Sequence, residues 1–125
     1  MTGKGLVCLS LIGVFLGCFS SKADPDQAVL VQLKKAGSDL SKPHNIEFFV
    51  YFPDELRALK AEPKIKELGF QVDVRPAAKG TDWLCFSKKT MVPELAALQR
   101  IRRDLASVAQ SLGGEYDGWG TPIVK

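Results

Sequence analysis

The apolar positions of this chain change period several times, and each change marks an element. From Asp26 to about Ala36, Val29, Leu30 and Leu33 recur at helical spacing, with Asp24-Pro25-Asp26 as a start signal and Gly37 as a stop. Gly37-Ser38-Asp39 turns the chain. From Ile46 to Phe52, Ile46, Phe48, Val50 and Phe52 fall on one side and Glu47, Phe49 and Tyr51 on the other. Period two in β-branched and aromatic residues predicts a strand, and its apolar second face suits a central position. Pro53-Asp54-Glu55 opens a second helix, for which Leu56, Leu59, Ile65 and Leu68 mark an expected buried stripe that Pro63 should kink or split. After Gly69, Phe70, Val72 and Val74 alternate with Gln71, Asp73 and Arg75 as a half-buried strand, and Lys79-Gly80 turns it into a third strand from Asp82 to Lys88. Thr90 to Leu112 is the longest helical pattern: Leu95, Leu98, Ile101, Leu105, Val108 and Leu112 recur every three or four residues, with Thr90 as the expected cap. A last strand is expected through Tyr116 and again at Ile123-Val124. The order α-β-α-β-β-α-β with a mostly antiparallel sheet predicts an α+β fold, a ferredoxin-like α/β sandwich with both long helices on one face.

The stretch Gly113 to Pro122 concentrates four glycines, two large aromatics, two acids and a proline. Gly113-Gly114 can supply the left-handed residue that ends a helix, and Gly118 and Gly120 free the backbone on either side of Trp119. Two readings stand. Tyr116 and Trp119 either close one end of the core, with their polar atoms hydrogen-bonded, or join Glu115 and Asp117, with neighbouring Asp82 and Trp83, in an exposed patch that binds a partner protein.

The amino terminus carries one positive charge in Met1 to Lys4, an uncharged apolar run from Gly5 to Gly17, and small or polar residues from Ser20 to Ala23. That is the layout of a secretory signal, and the run is too short to span about 30 Å of hydrocarbon. Ser21-Lys22-Ala23 fits ordinary signal peptidase, with Asp24 as the new first residue. Val14-Phe15-Leu16-Gly17-Cys18 resembles a lipoprotein box, with Cys18 lipidated and tethering the chain to a membrane. Residues 1–23 therefore read as a signal or lipoprotein signal, and 24–125 as the working domain, exported to the periplasm or held on a membrane. Cys8 and Cys18 belong to the signal, so Cys85 is the one thiol left and no internal disulfide is available. In Trp83-Leu84-Cys85-Phe86 it reads as a small buried apolar residue.

Composition narrows the chemistry. With 46% hydrophobic and 25% charged residues, 125 residues suit one globular domain. Removing Lys4 and Lys22 from the 17 basic residues leaves 15 against 14 acidic ones, which gives no electrostatic basis for direct nucleic-acid binding. Arg100, Arg102 and Arg103 read as a solvated helix face. His44, the single histidine, stands beside Pro43 at a strand entrance and reads as a surface residue. One histidine and one retained cysteine exclude the usual zinc sites, and no cofactor is expected. Asp82, Glu115 and Asp117 could do acid-base work if their strands are neighbours, which keeps a small envelope hydrolase as a third possibility.

Glu115-Tyr116-Asp117-Gly118-Trp119-Gly120-Thr121 resembles the closing signature of the regulator of ribonuclease E activity B family, the ribonuclease E inhibitors. Gly37-Ser38-Asp39, Ile46-Glu47, Leu68-Gly69-Phe70 and the Leu95–Leu112 helix match it in the right order, so the resemblance spans roughly Val29 to Val124. It implies an α/β sandwich of ferredoxin type and a non-catalytic role in binding ribonuclease E and restraining RNA cleavage. Together with the signal, it predicts a non-catalytic protein-binding module that is exported or lipid-anchored. Inhibition of ribonuclease E in the cytoplasm is the alternative.

Overall fold

The structure, a computed structural model, describes residues 24–125. Residues 1–23, including Cys18, for which a signal or lipoprotein signal is expected, lie outside the described residues. Seven elements follow in the expected order: α1 (Pro25–Lys35), β1 (His44–Phe52), α2 (Glu55–Glu67), β2 (Gln71–Pro76), β3 (Trp83–Met91), α3 (Leu95–Ser111) and β4 (Glu115–Gly120). The strands form one sheet in the order β2-β3-β1-β4, antiparallel throughout. From β1 onward this is the βαββαβ arrangement of the ferredoxin-like sandwich, with α1 added in front.

The two central strands carry the fold. β1 pairs with β3 along its whole length, from His44 opposite Met91 to Phe52 opposite Trp83. Burial along β1 has period two: His44, Ile46, Phe48, Val50 and Phe52 are buried, and the residues between them are more accessible. The buried set meets Leu30 and Leu33 of α1, Ala58, Ala61 and Ile65 of α2, and Leu98, Ile101, Leu105 and Ala109 of α3 in one cluster. All three helices therefore cover one face of the sheet. Phe48 and Phe70 add an edge-to-face pair, with ring centroids 5.2 Å apart at 84°, worth about 0.5–1.5 kcal/mol beyond its buried area.

Two glycines at the end of α3 are fixed for different reasons. Gly113 has φ +73°, where a side chain is strained. Gly114 has no such φ, but a Cβ there would run into the Tyr51 carbonyl oxygen and the Phe52 ring. The first ends the helix, and the second lets β4 come in close beside β1.

Four expectations change. The buried side of α2 is Ala58, Ala61 and Ile65, while Leu56, Leu59 and Leu68 are exposed. Small alanines allow close approach to the sheet, so the helix is turned with its larger leucines outward. Pro63 lies inside α2 without dividing it. Thr90 is a β3 residue paired with Asn45, and α3 begins after Glu94, whose side chain makes no capping bond. Ile123-Val124 forms no strand; Val124 instead bonds the turn after α1, its carbonyl accepting from Asp39 N–H at 2.6 Å.

Candidate functional site

Trp119 lies in the core half of its motif. Gly118, at φ +103°, follows Asp117 where both residues oppose Phe49, and this bulge sets the indole beside buried Phe48. Trp119 is 9% exposed and its Nε1–H donates to Asp26 Oδ1 at 3.0 Å. Asp26 is itself 2% exposed, and its other oxygen accepts from Arg102 Nε at 2.9 Å. One residue pair upstream, Asp24 caps α1 through the N–H groups of Asp26 and Gln27, and it accepts from Gln99 Nε2 at 2.6 Å. Arg102 also reaches Asp24 at 3.5 Å. The start of α1 is thus fastened to α3 and β4 by two carboxylates, one guanidinium, one amide and one indole. Donation from Gln99 is the main reason the Asp24 carboxyl is held below its usual range, and the hydrogen bond to Asp26 raises Arg102.

This arrangement corrects two expectations. Arg102 is held by Asp26 and Asp24 and is not simply a solvated residue of its helix. Trp119 presents no indole at the surface, so an exposed patch cannot be anchored on it. The acids of α1 that hold both groups were read in the sequence only as a helix start. Their spacing carried no further signal, because their partners stand 76 and 93 positions away.

The other residues of the expected patch divide between the two faces of the sheet. Tyr116 and Trp83 pack against the core from its margin. The Tyr116 hydroxyl is buried with no hydrogen-bond partner among the described residues, and burial, followed by the charge of Asp26, pushes its pKa up. Glu115, next to Tyr116 and opposite Tyr51, is exposed on the other face. Asp82 precedes β3, and its carbonyl accepts from Ala77 N–H. Because β1 lies between β3 and β4, Asp82 is not brought onto a strand adjoining Glu115 and Asp117.

His44 is also corrected: it is fully buried. Its Nδ1 lies 2.8 Å from the Lys42 carbonyl, which can only accept, so in the neutral ring Nδ1–H donates and Nε2 accepts from the Ser38 hydroxyl at 2.6 Å. Ser38 Oγ in turn accepts from Val124 N–H at 2.9 Å. The Ser–His pair is committed to pinning the carboxy-terminal segment at Val124 to the turn after α1. Cys85 is buried as expected, with Sγ 3.3 Å from the Ala58 carbonyl, and desolvation pushes its thiol up to about 12. Among the described residues no group of three or more His, Cys, Asp or Glu side chains is placed to hold a metal ion. No described helix is long and apolar enough to cross a membrane.

The sheet face away from the helices is aromatic at its centre and charged at its sides. Phe49 and Phe86 stand directly opposite each other on β1 and β3, with ring centroids 5.7 Å apart. Arg75 of β2 lies over the Phe86 ring at 4.4 Å and is also paired with Asp73. Beside it Gln71, Asp73, Arg75, Phe86 and Lys88 border a shallow depression of about 290 Å³.

The domain is an antiparallel α+β sandwich with one helix-covered face and one open face, an architecture that does not by itself assign a function. The chain belongs to the family described as Regulator of ribonuclease activity B, whose model matches residues 23–121. No curated protein matches it in a comparison of whole sequences.

Proposed function

We propose that this chain is a non-catalytic, protein-binding regulator that is exported or lipid-anchored by its amino-terminal segment. The family match over residues 23–121 is the observation that carries the regulatory part. The charged run, apolar run and small residues of Met1 to Ala23 support the export part. Contact with the partner falls to exposed Glu115 and half-buried Asp117 at the sheet end, with half-buried Asp82 and Trp83 at the start of β3, while Tyr116 and Trp119 hold that end in shape.

The second reading is inhibition of ribonuclease E in the cytoplasm; the family description, regulation of ribonuclease activity, is compatible with it. Mass measurement of the chain from its native host separates the two. Loss of residues 1–23, or loss of 1–17 with added lipid mass on Cys18, supports export. An intact chain in the soluble cytoplasmic fraction that slows RNA cleavage by purified ribonuclease E establishes the second reading and overturns the first. In either setting, Glu115→Lys with Asp117→Lys should weaken partner binding at least tenfold while the thermal transition stays in place. Unchanged binding would remove these acids from the contact surface.

A further inference from the structure

The open face of the sheet has a charge layout that a second copy of the same chain would match, and we propose that it is a two-fold symmetric self-association surface. Three cross-strand rows show the pattern. In the first, Lys88 on β3 is opposite Glu47 on β1. In the second, Phe86 is opposite Phe49. In the third, Arg75 on β2 is opposite Leu84, which is opposite Tyr51, which is opposite Glu115 on β4. Lys88 and Arg75 therefore stand toward the β2 side and Glu47 and Glu115 toward the β4 side, with aromatic rings between them. Asp73 on β2, opposite Phe86 and paired with Arg75, is the one acid on the basic side of these rows.

A two-fold axis lying between two facing sheets and parallel to their strands exchanges left for right and keeps each row in place. Under that operation Lys88 of one copy meets Glu47 of the other, Phe86 meets Phe49, and Arg75 meets Glu115. Each contact occurs twice, as an isologous interface requires. Asp73 faces the acidic side of the other copy, but its charge is already held by Arg75. Mixed signs on one face would be poor for the phosphate backbone of a nucleic acid, which calls for basic charge throughout. They suit a partner carrying the same two signs in mirrored order.

Area sets the expected strength. Four strands about 4.8 Å apart and about six residues long give a flat footprint of about 400 Å² per copy, about half that of a standard specific interface and in the range of weak, transient contacts. A weak, concentration-dependent dimer follows. Aligned packing of two twisted sheets about 10 Å apart leaves room for the rings at the centre.

Sedimentation of the full chain across about 1 µM to 1 mM, with charge-swapped variants, tests this. Arg75→Glu and Glu115→Lys should each weaken self-association at least tenfold, and an equimolar mixture of the two should restore it, because every swapped contact is then attractive. Phe86→Glu, on the open face and outside the core, should leave a folded monomer. A wild-type chain that stays monomeric at the highest concentration would overturn the proposal. So would a dimer that ignores both swaps, or swapped variants that fail to complement. If Phe86→Glu does not fold, the complementation result decides alone.

Discussion

Trp119 is the residue on which most of the local structure turns. Its ring fills the space beside Phe48, and its N–H occupies one oxygen of a carboxylate that would otherwise be buried with only Arg102 for company. Trp119→Ala should therefore cost about 3–5 kcal/mol, a large part of the stability of a small domain, read as a drop in the thermal or denaturant midpoint. Asp26→Ala should cost about 1–3 kcal/mol by leaving Trp119 Nε1–H and Arg102 unsatisfied. A double-mutant cycle between the two sites should be non-additive, since they share a hydrogen bond. A second residue-scale prediction concerns pH. The Cys85 thiol ordinarily titrates at 9.0 and is raised to about 12 in the fold, and Tyr116 is raised in the same direction. Above pH 9.0 the unfolded chain loses a proton that the folded chain keeps, so stability is fully present below that pH and falls as pH climbs toward the folded value. Cys85→Ala should flatten this decline in thermal midpoints measured at alkaline pH. In the native chain Cys85 should also resist thiol reagents at pH 8 until the protein unfolds.

At the scale of elements, the strands were easier to read than the helix faces. β1 showed itself because its alternation is strict and its residues are β-branched or aromatic, and the β2–β3 hairpin followed from Lys79-Gly80. The body of α3 was equally clear, since Leu98, Ile101 and Leu105 repeat at helical spacing, although it starts after Glu94 and not at Thr90, which belongs to β3. α2 misled because it carries two apolar stripes. Leucines at 56 and 59 outweigh alanines at 58 and 61 on any hydrophobic scale, yet the alanine side is the one that packs, because it lets the helix come close to the sheet. The difference is measurable. Leu56→Ser and Leu59→Ser should each change stability by no more than about 0.5 kcal/mol, whereas Ile65→Ala should cost about 2–5 kcal/mol. Equal losses at all three positions would restore the sequence-based stripe. The site was only partly legible for a related reason. The aromatic-acid motif was visible at 115–119, but which face each side chain takes depends on the bulge at Asp117-Gly118, and the groups that hold Trp119 lie at the far end of the chain.

For the whole molecule, the first described residue has a position that bears on the proposed tether. Asp24 caps α1 and is fastened to Gln99 and Arg102, so the chain enters the fold in the helix layer, on the side away from the open sheet face. Five residues separate Cys18 from Asp24, six Cα–Cα steps that at full extension reach at most about 21 Å. A lipid on Cys18 would therefore keep the start of α1 within about that distance of the membrane. Cys18→Ser should release the chain into the soluble fraction of the envelope if lipidation is the exit used. Cleavage after Ala23 should leave its distribution unchanged by the same substitution. In neither case should the thermal transition of the domain move, because among the described residues the bonds that start the fold are those of Asp24. A shift in that transition on Cys18→Ser would mean that the segment before Asp24 packs on the sandwich, and its part as a detachable address would then fail.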